Sequence, residues 1–392
     1  MQKLKNNIFY VGISDPTLRS FGLIMKTDYG TSYNAYIIKS EKTALIDCVH
    51  EKFADDFIEK IGADNIDYII CNHTEPDHSG AMKKLIEKNP DITIVGTVAA
   101  LRNLKEITNI EFKECVAKDG GELDLGNGIK LSFLITPGLN WPDTMMTYMP
   151  LEKVLFSGDV FGAHYCEDCI YNNDIIHFDK YEKAFKEYYD YIMSPFDGFV
   201  RSALSKINEI DFEMICPGNG PVIAMDIDDV IDKYTKYSSV EKSENNTMGI
   251  FYTSAYGYTR EMAHIISQTA ADNGYNVQMF DLEACDMEAA KKSLNSAEAI
   301  AVGTPTINKN APETAWKLLS GIEAVNIKGK PCMVFGSYGW SGEAIGHIYS
   351  YLKLFKFDVF EKPFGCMFKM NATQQNELKE YTKRFLKSTN NK

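Results

Sequence analysis

Four side chains able to bind metal fall within six consecutive residues of this sequence. In Asn72-His-Thr-Glu-Pro-Asp-His-Ser-Gly80, His73, Glu75, Asp77 and His78 set two imidazoles and two carboxylates at the end of an apolar run, Tyr68–Cys71. In extended chain, positions 73, 75 and 77 face one side, and 78 begins the turn into a helix. Hard divalent ions take carboxylate oxygen and iron also accepts imidazole, so the pattern suits two adjacent ions in a mixed nitrogen and oxygen site. The plainer alternative is a solvated loop in which Asp77 or Ser79 caps a helix and His78 is exposed. A further acid, Asp159, stands in Phe156-Ser-Gly-Asp-Val-Phe-Gly162, again just past a strand-like run. A carboxylate there can bridge two ions, although a lone Asp before a turn is more often a turn former.

A different chemistry stands later in the chain. Met248-Gly-Ile-Phe-Tyr252 runs into Thr253, Ser254, Ala255, Tyr256, Gly257, Tyr258 and Thr259, directly before a helical pattern. Hydroxyls and unpaired backbone N–H groups at a helix N-terminus favour a phosphate. With no lysine in the loop, a nucleotide triphosphatase loop is a poor match and a single phosphate a better one. Two more loops follow later strands. One holds Thr304, Pro305, Thr306 and Asn308, and the other holds Ser337, Tyr338, Gly339, Trp340 and Gly342. In a doubly wound sheet such loops converge at the C-terminal strand ends, where Tyr338 and Trp340 are flat enough to cover a ring system. Each loop taken alone reads equally well as a glycine-rich turn. His164-Tyr-Cys-Glu-Asp-Cys169 offers an imidazole and two thiols, but it has no fourth partner for zinc and is more simply a loop with two free cysteines.

The elements that must position these groups follow from the hydrophobic patterning. Short strand-like runs, Ile8–Val11, Tyr33–Ile38, Ala44–Asp47, Tyr68–Cys71, Thr93–Val95, Ile129–Ile135 and Lys153–Ser157, alternate with helical patterns at Phe53–Ile61 and Gly80–Lys88. Tyr181–Glu209 keeps helical spacing throughout, and another helix is expected around Asp226–Val240. The polar run Glu241–Thr247 reads as a linker between a domain at 1–240 and one at 248–392, in which strand and helix alternate as in one doubly wound parallel sheet.

Composition narrows the function classes. A chain of 392 residues, 45% hydrophobic and 24% charged, is expected to form two or three globular domains. The net charge of −13 argues against nucleic acid as a partner, and no stretch approaches the length of a membrane span. Nine cysteines without a framework pattern, and no apolar signal core near the N-terminus, predict a cytoplasmic protein with reduced thiols.

With these motifs in view, the region from about Met248 to Lys387 resembles the flavodoxin family, whose first loop binds the FMN phosphate and whose later loops hold the ring. Across the whole chain, Gly30-Thr-Ser-Tyr-Asn-Ala-Tyr36, the run from His73 to His78, Thr136-Pro-Gly-Leu-Asn-Trp-Pro-Asp143, the segment around Asp159, and Cys216-Pro-Gly-Asn-Gly-Pro221 occur in the order of the flavodiiron proteins. That resemblance implies a metallo-β-lactamase-like αββα domain followed by a flavodoxin-like one. It implies FMN and two iron ions, and the reduction of dioxygen to water or nitric oxide to nitrous oxide with electrons from rubredoxin or a similar small redox protein. It also implies a head-to-tail homodimer that sets the flavin of one subunit beside the iron of the other. Residue by residue, His73 and Glu75 would ligate one iron and Asp77 the other, with Asp159 bridging, while His78 matches a family position whose part in binding the resemblance leaves open. Two further histidine ligands are expected where this chain has Asn140 and Asn219, and the early Phe-His-Gly reads Phe21-Gly-Leu23. An amide oxygen is a weaker ligand for iron than imidazole. A metal-poor first domain serving dimerisation or docking, or a centre holding another divalent ion, is therefore the competing expectation. No rubredoxin-like cysteine pair follows the flavodoxin-like region, so the reductant is expected to be a separate protein.

Overall fold

In the computed structural model, which describes residues 1–22, 25–239, 246–324, 327 and 329–389, the chain divides into two compact units, Met1–Ser239 and Val240–Lys392. The first is built on two sheets. One runs Gln2–Lys3, Ile8–Tyr10, Tyr36–Lys39, Thr43–Ile46, Tyr68–Ile70, Thr93–Gly96 and Lys113–Val116 in spatial order, and the other Glu122–Asp124, Lys130–Ile135, Met145–Met149, Val154–Gly158 and Met214–Pro217. Their facing side chains, among them Ile38, Ile46, Ile70, Val95, Leu131, Phe133, Met145 and Phe156, form one buried layer. The helices Ala54–Ile61 and Val98–Thr108 cover the outer face of the first sheet through Phe57, Ile58, Leu101 and Leu104. Phe178–Tyr188, Asp197–Ile207 and Ile227–Tyr237 cover the second. The layers are therefore helix, sheet, sheet, helix, and the central strands carry apolar residues on both faces, as strands buried on two sides must.

The second unit is a single parallel sheet in the order Asn276–Asp281, Thr247–Tyr252, Ala299–Gly303, Pro331–Tyr338, Asp358–Val359, with Phe364–Met367 also pairing Pro331–Tyr338. Apolar layers lie on both faces, around Ile266, Met333 and Phe385 on one side and Phe251, Leu294 and Ile348 on the other. Strand order reverses between Thr247–Tyr252 and Ala299–Gly303, which opens a crevice at their C-terminal ends. No helix among the described residues is long and apolar enough to cross a membrane.

Several local expectations are corrected. Tyr33–Ile38 is not one strand. Thr31–Tyr33 pairs with Ile13–Asp15 and Tyr36–Lys39 joins the main sheet, because Asn34 turns inward and its Nδ2 donates to the carbonyls of Pro217 and Gly220. Tyr181–Glu209 is not one helix either. It breaks into Phe178–Tyr188, a wide turn at Tyr189–Met193, a tight turn at Ser194–Phe196 and Asp197–Ile207, since Pro195 lacks an N–H and crowds the preceding turn. The strands Met145–Met149 and Met214–Pro217 have no polar alternation and were not anticipated. Of the expected linker, 241–245 lies outside the described residues and Thr247 already opens a strand.

The turn carrying Asp159 is closed by local bonds, Ser157 Oγ donating to the Val160 carbonyl and Gly162 N–H to that of Asp159. It is also tied to the last helix of the unit, where the buried Tyr234 hydroxyl accepts the N–H of Phe161 at 2.9 Å, a residue at φ 66°. Tyr234→Phe should strand that N–H and lower the stability of the first unit by about 1–3 kcal/mol, read as a shift in its urea midpoint; an unchanged midpoint would show that the tie contributes nothing.

Candidate metal centre and candidate flavin crevice

The strand Tyr68–Ile70 delivers the chain to Asn72, which is clamped before any metal-type residue begins. Asp47 accepts the Asn72 backbone N–H at 2.8 Å and its side-chain amide at 3.0 Å, and Thr147 donates to Asn72 Oδ1 at 2.8 Å. Asp143 in turn accepts the N–H of Thr74 at 2.9 Å. Pro76 then starts a helical turn, Pro76–Ser79, as its fixed φ allows at a first helical position. This corrects the extended arrangement expected of positions 73, 75 and 77. Asp77 and His78 both belong to the turn, and His78 is fully buried, against the solvated-loop alternative that leaves it exposed.

The turn brings five of the expected residues together in two matching halves. In the first, His73 Nε2 lies 3.8 Å from Glu75 Oε2 and 3.2 Å from Asp159 Oδ2. In the second, His78 Nε2 lies 3.0 Å from Asp77 Oδ2 and 3.3 Å from Asp159 Oδ1. Asp159 thus gives one oxygen to each half, and ligand atoms of His73, His78 and Asp159 lie within 4.8 Å of one another. Gly218, after the strand Met214–Pro217, makes room for this, because a Cβ there would stand 2.7 Å from His78 Cε1.

Both ring nitrogens of His73 and of His78, Asp77 Oδ1 and Asp159 Oδ1 are buried without a hydrogen-bond partner. So many bare polar atoms cost several kcal/mol unless a cation or water satisfies them. Burial alone would push the imidazoles down, yet Asp159 and Glu75 hold His73 well above the ordinary range, and Asp77 and Asp159 raise His78 to about 10. Burial would likewise raise Asp159, but the two imidazoles beside it hold it far below the usual carboxylate range. The cluster therefore favours positive charge at its centre, and a pair of divalent ions fits these residues.

In the second unit the three loops do converge. Thr253 N–H donates to the Gly303 carbonyl and Thr304 N–H to that of Phe335, which aligns the strand ends, and Thr259 Oγ1 lies 3.0 Å from Ser337 Oγ. Ser254 Oγ accepts the Arg260 N–H in the first turn of the helix Tyr258–Asp272, entered through Gly257 at φ 84°. A Cβ on Gly257 would meet nothing within 4 Å, whereas one on Gly336 would stand 2.0 Å from the Thr304 carbonyl, so the second and third loops touch only because position 336 is glycine. Thr306 Oγ1 accepts the Ala344 N–H, and Asn308 turns at φ 52°. Tyr256 and Trp340 project into solvent, 86% and 89% exposed, while Tyr338 is half-buried. Ala255, Pro305, Tyr258, Gly339 and Gly342 complete the loops, the last opening the helix Glu343–Leu354. Hydroxyls gather at a helix N-terminus here, with flat side chains at the rim, and an FMN phosphate and ring fit such a candidate cradle.

Comparison with known proteins agrees on both units. Residues 31–220 match the ODP family beta lactamase model and residues 250–385 the flavodoxin model. A flavo-diiron protein of Clostridium acetobutylicum is 44% identical over 375 residues, 93% of this chain and 94% of that one. The chain belongs to the flavo-diiron protein family. An anaerobic nitric oxide reductase flavorubredoxin of Klebsiella pneumoniae is 34% identical over 88% of this chain and 73% of its own. Among solved structures, the rubredoxin oxygen:oxidoreductase of Desulfovibrio gigas superposes with a TM-score of 0.71 at 27% identity, covering 99% of this chain and 98% of the other.

Within this flavo-diiron protein, Asn140 and Asn219 stand beside the two halves of the centre. Asn140, at φ 65°, points Nδ2 at Glu75 Oε2 (2.9 Å) and Asp159 Oδ2 (3.3 Å). Asn219 Nδ2 donates to the Ser32 carbonyl at 2.8 Å and faces Asp77 Oδ2 at 3.4 Å, while its Oδ1 accepts from the Tyr188 hydroxyl. His164, Cys166 and Cys169 do not assemble into a ligand set. The His164 ring is buried between Phe21 and Tyr188 with Nδ1 on Thr31 Oγ1, and the thiols are half-buried along a separate small cavity with Tyr10 and Ser14. Asp47, Asp143, Ser32 and Tyr188 escaped the sequence reading. Asp47 and Asp143 were visible only as acids at a strand end and after a turn, and Tyr188 gave no signal beyond a helical apolar face.

Burial pushes His164 down to about 4, against 6.5 for a free imidazole, so in the fold it stays neutral while the unfolded chain takes up a proton. Its contribution therefore lowers stability as pH falls from about 6.5 to about 4, by up to about 1.4 kcal/mol per unit. His164→Gln should flatten that part of the pH profile of urea unfolding; a slope identical to that of the unaltered protein would show that His164 titrates normally.

Proposed function

We propose that this protein is an FMN-dependent oxidoreductase of the flavo-diiron type, passing electrons from a rubredoxin-like donor to dioxygen or nitric oxide. The observation that carries this reading is the buried set of partnerless imidazole and carboxylate atoms on one unit, in a chain whose other unit ends in a three-loop anion cradle. His73, Glu75 and Asp159 would hold one ion, and Asp77, His78 and Asp159 the other. The Thr253–Thr259 loop would hold the phosphate of FMN, and the loops at Thr304–Asn308 and Ser337–Gly342 its ring. When bound, FMN and a metal pair supply stepwise electron transfer and a place for a diatomic oxidant. The chain's own residues bury the centre, fix the spacing of its halves through Asp159 and hold each imidazole against a carboxylate.

The proposed assembly is a head-to-tail homodimer. Its support is the separation of charge along the chain: residues 1–239 carry 24 Lys and Arg against 38 Asp and Glu, and residues 246–392 carry 16 against 14. Setting each acidic first unit against a nearly neutral second one avoids the repulsion of two acidic units facing each other, and the exposed Tyr256, Ile307, Trp340 and Phe368 beside the cradle offer an apolar contact. The amide N–H groups that Asn140 and Asn219 turn toward the carboxylates favour a second reading, an electron-transfer protein whose first unit is metal-poor.

Purified protein incubated with FMN should retain about one FMN per chain, noncovalently, by absorbance after gel filtration; protein that stays colourless, or selects FAD, contradicts the cradle assignment. With a reduced rubredoxin as donor, oxygen or nitric oxide uptake separates the two readings, since the metal-poor one predicts flavin reduction without uptake. Mixed dimers of a chain altered at His73 and a chain altered in the Thr253–Thr259 loop should regain part of the flavin-to-metal transfer that each altered homodimer lacks. Heterodimers that form without any recovery rule out a path crossing between subunits.

A further inference from the structure

Resting on the dinuclear reading above, we infer that the two halves of the centre hold their ions unequally. The half made by His73, Glu75, Asn140 and Asp159 Oδ2 takes a hard divalent cation first, and the half made by Asp77, His78 and Asp159 Oδ1 takes a second, exchangeable one. Counted by donors, the halves look alike, each with one imidazole, one carboxylate of its own, one oxygen of Asp159 and one neighbouring asparagine. The difference lies in what each asparagine can turn toward a cation.

Asn219 is locked. The Ser32 carbonyl can only accept, so the nitrogen of the Asn219 amide must face it, and the same nitrogen is the atom nearest Asp77. The Tyr188 hydroxyl holds the amide oxygen on the other side. Turning that oxygen toward an ion in the Asp77 half would set it against the Ser32 carbonyl and abandon a buried bond. Asn219 therefore offers this half an N–H and no lone pair.

Asn140 is free to turn. Its nitrogen bonds only to Glu75 and Asp159, the carboxylates that a cation would itself engage, and among the described residues nothing holds its oxygen. A half-turn about the side chain replaces two N–H bonds by an Oδ1 ligand just when the cation takes over both carboxylates. The two imidazoles are equally buried, at 0%, but Glu75 is partly open, 17% exposed against 3% for Asp77, so water reaches the first half more readily than the second. With one imidazole per ion, the donor set has the balance of carboxylate-rich dinuclear centres, which accept manganese as well as iron.

The test is an anaerobic titration of the FMN-loaded full-length protein with Mn(II), free ion being counted by its electron paramagnetic resonance signal. One equivalent should bind first and a second at least about tenfold more weakly, the scale of effect that one supporting group has on a metal site. Asn219→His should strengthen the second step and bring the two together, and Asn140→Ala should weaken the first step while leaving the second unmoved. Two equal steps in the unaltered protein, or a second step indifferent to Asn219→His with a first step indifferent to Asn140→Ala, overturn the inequality while leaving the dinuclear reading intact. Binding of no Mn(II) and no Fe(II) at all overturns both.

Discussion

A single buried carboxylate organises the first unit. Asp159 is 2% exposed and its oxygens lie 3.2 and 3.3 Å from the Nε2 atoms of two imidazoles that are themselves fully buried. Taking such a charge out of water costs several kcal/mol unless opposite charge meets it on every side. The fold is arranged to bring that charge there. His73 follows the strand Tyr68–Ile70 of one sheet, Asp159 follows Val154–Gly158 of the other, and Gly218 and Asn219 follow Met214–Pro217 beside it. The centre forms where the ends of two facing sheets meet, and each sheet alone would carry only part of it.

Around that carboxylate the supporting bonds share a purpose. Asp47, Thr147 and Asp143 fix the backbone from Asn72 to Thr74, and Tyr234 and Ser157 fix the turn that carries Asp159. A centre whose ligands come from separate loops needs such ties, because no one element holds it at the right spacing. Most of these groups are themselves buried and bonded, so the rigidity of the site and the satisfaction of the interior are met by the same contacts.

Asn140 and Asn219 change the electrostatics of this framework without dismantling it. Where the sequence resemblance implies two more imidazoles, the centre has amide N–H groups directed at its carboxylates. His73 and His78 are the two imidazoles of the cluster, beside the three carboxylates of Glu75, Asp77 and Asp159. In the second unit the constraint is steric rather than electrostatic. Glycine at 336 lets the second and third loops touch, glycine at 257 supplies the positive φ that opens the first helix, and the hydroxyls of Thr259 and Ser337 join two of the three loops.

Much of this was determined by the sequence itself. The apolar strand before His73, the cluster of imidazoles and carboxylates, and the repeated strand-to-loop pattern after Met248 are local features, set by side-chain type and spacing, so both units and the residues that gather at each candidate site could be read directly. What only the tertiary structure decided depends on partners far apart in the chain. Whether His78 faces solvent or the centre was settled by Pro76 turning the chain inward and by the space at Gly218, 140 residues later. Which way the Asn219 amide faces was settled by Ser32 and Tyr188, from a strand and a helix that no spacing rule connects to it. The break of the long helix at Pro195, the missed strand Met145–Met149 and the separation of His164 from Cys166 and Cys169 have the same origin. An amide or an imidazole has no fixed role until burial removes water as its partner, and which atoms then replace water is a property of the packed fold.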